Sequence, residues 1–169
     1  SNRIIGILPN ATHTQLIATM QEVEPYYDEL IWEKEQENIK RVEAQLARYI
    51  PQVKQLFLKA KQFYNSAWDD SIPFKISLYP IPLEKGSTIA TPKGNILICS
   101  FLSHLNGEDK GLVGVAVHEM CHLLYDEQLA VFQHHLDEQF SQSGSTYRKL
   151  AYSYINEGLA TAIGNGWGY

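Results

Sequence analysis

From Gly111 to Tyr125 the chain carries no charged side chain except at His118, Glu119 and His122. A helix that is apolar on nearly every side is stable only inside a domain. Ionisable groups on such a helix are costly unless something compensates their burial. His118 and His122 are four apart, so on a helix they lie one above the other on a single face. Two imidazoles placed that way can grip one divalent ion through ring nitrogens. Glu119 stands about 100° around the helix from His118. It flanks the pair and can reach a water beside the ion without being a ligand. The pattern His-Glu-x-x-His in this apolar setting predicts a buried helix built around one zinc ion.

Zinc that keeps one position open for water takes three protein ligands. The downstream candidates are Asp126, His134, His135, Asp137, Glu138 and Glu157. Asp126 is one turn beyond His122 on the same helix and is poorly placed to close a tetrahedron. His134 and His135 would need a sharp turn after the metal helix. The metzincin-type signature provides one with a glycine three residues after its second His, where this chain has Tyr125. Both histidines therefore read as surface or structural residues. A closed structural site completed by His104 or His134 is a further alternative. Glu157 lies in Tyr154-Ile155-Asn156-Glu157-Gly158-Leu159-Ala160-Thr161. The small residues at 158, 160 and 162 would let this segment, as a helix, pack closely on the metal helix.

The remaining chain reads as α+β, with residues 1–169 forming one unit. Apolar residues recur at three- and four-residue spacing between 14 and 65, which predicts helices across 1–70, with breaks or kinks at Pro25 and Pro51. They read as a packing scaffold. Phe74, Ile76, Leu78 and Ile81 roughly alternate, as a strand does. Ser87–Ala90 and Asn95–Cys99, joined by Thr91-Pro92-Lys93-Gly94, read as a hairpin, giving a small sheet over 71–100. Helices are expected over 109–129, over 131–142, and from Thr146 past Glu157. The glycines at 164, 166 and 168 are expected to end the last one.

The combination of His118-Glu119-x-x-His122 with Asn156-Glu157-Gly158-x-Ala160 resembles the gluzincins, the zinc peptidases with a glutamate ligand on a second helix. The match to the aminopeptidase N-like branch is close and spans about residues 86 to 163. The resemblance implies a zincin-like fold, with a small sheet preceding the metal helix. It also implies His118, His122 and Glu157 as zinc ligands and Glu119 as the general base for peptide hydrolysis. Gluzincins usually add a Tyr or His donor to the oxyanion from a later segment. Tyr169 is the candidate here, with Tyr152 and Tyr154 as others. In similar peptidases a strand in the place of Asn95–Cys99 binds extended substrate by main-chain pairing, and an ordinary interior strand is the alternative reading here.

The chain departs from the pattern in three places. Thirty-four residues intervene between His122 and Glu157, more than in the aminopeptidase branch, implying an inserted helix or loop. Thr161 stands where thermolysin-like relatives place an aspartate that orients a histidine. No Gly-x-Met-x-Asn run is present, which speaks against simple aminopeptidase specificity.

A net charge of −5 does not suggest a phosphate-binding surface, so peptide or protein substrates are expected rather than nucleic acid. No stretch approaches the ~18 apolar residues of a membrane span. Two cysteines, Cys99 and Cys121, define no disulfide framework. The start at Ser1-Asn2 reads as a trimmed chain. The expected setting is extracytoplasmic, periplasmic or secreted in a bacterium, after loss of an N-terminal signal. The alternative function is a non-catalytic zinc-binding or protein-interaction module that keeps the zincin fold.

Overall fold

A computed structural model describes residues 7–83, 86, 88–103 and 109–166. Helix α1 (Asn10–Tyr27) runs into a π-helical segment (Asp28–Trp32) and on into α2 (Glu33–Ala47). Of the break or kink expected at Pro25, a break does not occur. Pro25 lies inside α1, and the wider i→i+5 turns begin three residues later. Such turns give the backbone a way to absorb the hydrogen-bond register that a proline disrupts. Pro51 behaves as expected: the chain breaks at Arg48 and Tyr49, and Pro51 sits in the first turn of α3 (Ile50–Tyr64). Asn65 closes α3 in the left-handed conformation (φ 49°). The Ser66 N–H donates back to the Lys61 carbonyl at 3.0 Å, a Schellman-type ending.

The N-terminal helices serve as a scaffold only in part. Ile39 and Val42 of α2 and Leu56, Ala60 and Tyr64 of α3 are buried. Helix α1 buries none of its residues, and Leu16, Met20 and Val23 are exposed. Helical spacing of apolar residues therefore marks a core face in α2 and α3 but not in α1.

The sheet has the order β1-β3-β2. Strand β1 (Lys75–Ile81) runs parallel to β3 (Ile96–Leu102), and β2 (Ala90–Lys93) pairs with β3 antiparallel. The hairpin forms, but Thr91, Pro92 and Lys93 belong to the strand rather than to the turn. Lys93 pairs with Ile96 across Gly94-Asn95. Gly94 takes φ +61°, the positive value a two-residue hairpin turn with glycine first demands. Pro92 is tolerated because β2 is an edge strand. Strand β3 is central, with neighbours on both sides. From Ile96 to Cys99 its main chain is paired on both sides, so of the two readings of this strand the structure has the interior strand rather than the one that pairs with substrate.

Helix α4 (Asp109–Asp126) lies between two hydrophobic clusters. On one side Leu112 and Ala116 meet Leu97, Cys99 and Phe101 of β3 and Ile39 and Val42 of α2. On the other, Val113, Val117, Met120, Cys121 and Leu124 meet Leu56, Ala60 and Tyr64 of α3 and Ala160 and Ile163 further on. Burial on two sides explains the uncharged sequence of this segment. Each large side chain fully buried there contributes about 1.5–3 kcal/mol. The end of α4 is pinned to the end of α3: the Ala67 N–H donates to Glu127 O at 2.6 Å and the Leu129 N–H to Asn65 O at 3.2 Å.

Helices α5 (Ala130–Gln142) and α6 (Arg148–Gly166) complete the described chain. Helix α5 occupies the interval between His122 and Glu157. Helix α6 does not stop before the glycines; Gly164 and Gly166 are helical. Among the described residues, no helix is long and apolar enough to cross a membrane.

Candidate metal centre

His122 meets Asn156 and His118 meets Gly164, so α4 and α6 pass each other in opposite directions. Their close approach is set by three residues of α6. Ala160, Ile163 and Gly164 are buried. A β-carbon added at Gly164 would lie 2.8 Å from the His118 Cα and Cβ and 2.9 Å from its N. Any side chain there would force the helices apart. Of the small residues expected to allow the approach, only Ala160 lies in the contact. Gly158 and Ala162 are exposed, and a β-carbon at Gly158 would touch nothing within 4 Å.

This packing brings His118, His122 and Glu157 together, with one ligand atom from each within 4.8 Å of the others. The two Nε2 atoms are 3.0 Å apart. Glu157 Oε1 is 3.3 Å from His118 Nε2, and Oε2 is 3.3 Å from His122 Nε2. Zinc bonds of ~2.0–2.1 Å place two ligands of a tetrahedron about 3.3–3.4 Å apart. The two imidazole nitrogens are close to that spacing, and each has one carboxylate oxygen at it, so the donor set fits a single ion. The two imidazole rings stand at 83° to each other, 4.7 Å between centroids.

Two neighbours orient this triad. Asn156 Oδ1 accepts from the Nδ1–H of His122 at 2.9 Å, which leaves the Nε2 lone pair facing His118 and Glu157. The Thr161 hydroxyl donates to Glu157 Oε1 at 3.5 Å. The residue pattern marks neither role: the place of Asn156 beside Glu157 is the one signal for it, and Thr161 differs from the aspartate of thermolysin-like relatives.

Glu119 follows His118 and is half-buried. Its charge is felt at Cys99 on β3, so it lies on the side of α4 towards the sheet. Burial, reinforced by that charge, pushes the Cys99 thiol up to about 12. Burial also lifts Cys121 to about 11, partly offset by the nearby Tyr64 hydroxyl. Both are free thiols in the interior. Burial raises the Tyr64 hydroxyl too, with Cys121 adding to the effect.

The other candidates fall away from the triad. Asp126 is exposed on the last turn of α4. His134 and His135 are exposed on α5 and lie 3.3 and 3.6 Å from the Glu138 carboxylate; neither belongs to the triad, and nor does Asp137. Tyr152 packs on Phe140 of α5, 5.3 Å between ring centroids. Tyr154 is exposed. His104, Trp167 and Tyr169 lie outside the described residues.

No family model matches the chain, and no curated protein or solved structure matches it.

Proposed function

We propose that this chain is a zinc-dependent peptidase of the gluzincin type, with His118, His122 and Glu157 as ligands and Glu119 as general base. The observation that carries the reading is the convergence of three residues from two helices: the two Nε2 atoms lie 3.0 Å apart, and each lies 3.3 Å from one of the two Glu157 carboxylate oxygens. Glu119 follows His118 on the same helix, is half-buried and is not part of the triad.

Zinc held there would supply a Lewis acid that draws the pKa of a water molecule toward neutrality. The Glu119 carboxylate takes a proton from that water as it adds to the peptide carbonyl carbon. Glu119 then returns the proton to the amide nitrogen as the C–N bond breaks. The carboxyl product then gives the water's second proton to the amine, so the products are a carboxylate and an ammonium group, and atoms and charge balance. Asn156 holds His122 in one tautomer throughout, and Thr161 steadies the Glu157 carboxylate. The resemblance to the gluzincins is what makes Tyr169 the oxyanion donor in this reading.

Zinc analysis of protein purified without added metal is the first test, with about one ion per chain expected. Glu119→Gln should abolish cleavage of a casein or peptide substrate while zinc stays bound. Zinc retained with no cleavage by the unaltered protein would favour a non-catalytic metal-binding module. Absence of zinc would remove the reading altogether.

A further inference from the structure

Helix α6 packs through Ala160, Ile163 and Gly164 against α4, and Tyr152 meets Phe140 of α5. None of these contacts needs an apolar residue at positions 150 or 154. Yet Leu150 is 56% exposed and Tyr154 is 64% exposed. Single exposed apolar residues are ordinary, whereas a patch that runs into a polar site is informative. Leu150, Tyr154, Glu157 and Thr161 follow at intervals of four, three and four, so they share one side of the helix. Thr161 hydrogen-bonds to the Glu157 carboxylate, and that carboxylate side chain is 58% exposed. The side of α6 that delivers a ligand to the metal centre thus continues into two exposed apolar side chains, Tyr154 and Leu150.

The strip is one-sided. Beyond Glu157 the exposed surface of α6 becomes small, with Gly158, Thr161 and Ala162. Before it stand Tyr154 and Leu150. Helical rise places Tyr154 about 4.5 Å and Leu150 about 10.5 Å along the axis from Glu157. An extended peptide advances ~3.3 Å per residue. A peptide carbonyl held at the triad therefore has its next one to three side chains on that side within reach of the strip. A permanent cover over Leu150 and Tyr154 would extend towards Glu157, which a hydrolytic centre needs open to solvent.

From this continuity we infer that Tyr154 and Leu150 form a substrate-binding strip that accepts a large apolar side chain of a peptide next to the cleaved bond. The inference rests on the peptidase reading and adds a side-chain preference to it. Tyr154 presents an aromatic face with a polar tip, and Leu150 extends the apolar contact outward.

The test uses the zinc-loaded chain and two dipeptide hydroxamates that differ only in a leucine or glycine side chain beside the hydroxamate. Calorimetry should find the leucyl compound about tenfold tighter, the discrimination a partly buried aliphatic side chain provides. In the double variant Leu150→Ser, Tyr154→Ser the glycyl compound should bind as before, and the preference should fall below about twofold. Zinc content and circular dichroism check that the variant is intact. If the double variant is unstable, Leu150→Ser alone should still reduce the preference. A preference that survives both changes, or is absent from the unaltered chain, overturns the strip and leaves the metal centre standing. A dimer that the variants dissociate, with the preference unchanged, would assign the strip to a second copy instead. Failure of the zinc-loaded chain to bind either hydroxamate removes the centre and the strip together.

Discussion

Gly164 rests on the backbone of His118, and there is no room between them for a methyl group. One glycine of α6 thereby sets the distance from which Glu157 reaches the two histidines. The contact was not visible as a helix-breaking tail, because the same residue type serves both ends. Glycine costs about 1 kcal/mol in a helix interior relative to alanine. Here that cost is offset by close packing of two helices.

Gly164→Ala should therefore destabilise the chain by about 1–3 kcal/mol, the usual cost of overpacking a tight contact. It should also weaken zinc binding, because α6 must shift. Gly158→Ala, one and a half turns away in open space, is the control. It should leave zinc affinity unchanged and raise stability by up to about 1 kcal/mol. Urea unfolding and competition with a zinc chelator read both quantities. Equal behaviour of the two variants would refute the role assigned to Gly164.

Asn156 is predicted to act through His122. Removing its carbonyl oxygen in Asn156→Ala should lower zinc affinity about 10- to 100-fold, the effect of losing the partner that orients a ligand histidine. Asn156→Asp keeps an acceptor at the same place and should retain most of the affinity. Chelator competition separates the two variants, and NMR of the His122 ring nitrogens should show the Nδ1 proton lost from its hydrogen bond only in the alanine variant.

The buried thiols make stability fall in alkaline solution. An unperturbed cysteine titrates near 9, while in the folded chain Cys99 is pushed up to about 12 and Cys121 to about 11. Below pH 9 both folded and unfolded chains keep these protons, so the native state loses nothing. Above it the unfolded chain releases protons that the folded chain retains, and stability declines through pH 11 to 12. Burial of the Tyr64 hydroxyl acts in the same direction. The urea midpoint should therefore drop between pH 8.5 and 10.5, and less steeply in a Cys99→Ala, Cys121→Ala variant. Neither thiol should react with a disulfide reagent at pH 8 until urea unfolds the chain.

Local chemistry determined much of what this chain is. The uncharged run around His118, Glu119 and His122 required a buried helix, since no other placement satisfies fifteen residues of that composition. The four-residue interval put two imidazoles on one face, and the period change near residue 74 marked the sheet. These properties depend on neighbours in the chain, so a sequence displays them. Tertiary structure decided the rest. Which acid joins the histidines depends on how α6 crosses α4, and that crossing is set by contacts such as Gly164 on His118, forty-six positions apart. Whether β3 is central or at an edge depends on which strands flank it, and whether the apolar side of α1 is covered depends on what packs there. Contacts between distant parts of the chain leave no periodic trace in the sequence. They arise when buried volume, close approach and hydrogen bonding are satisfied together.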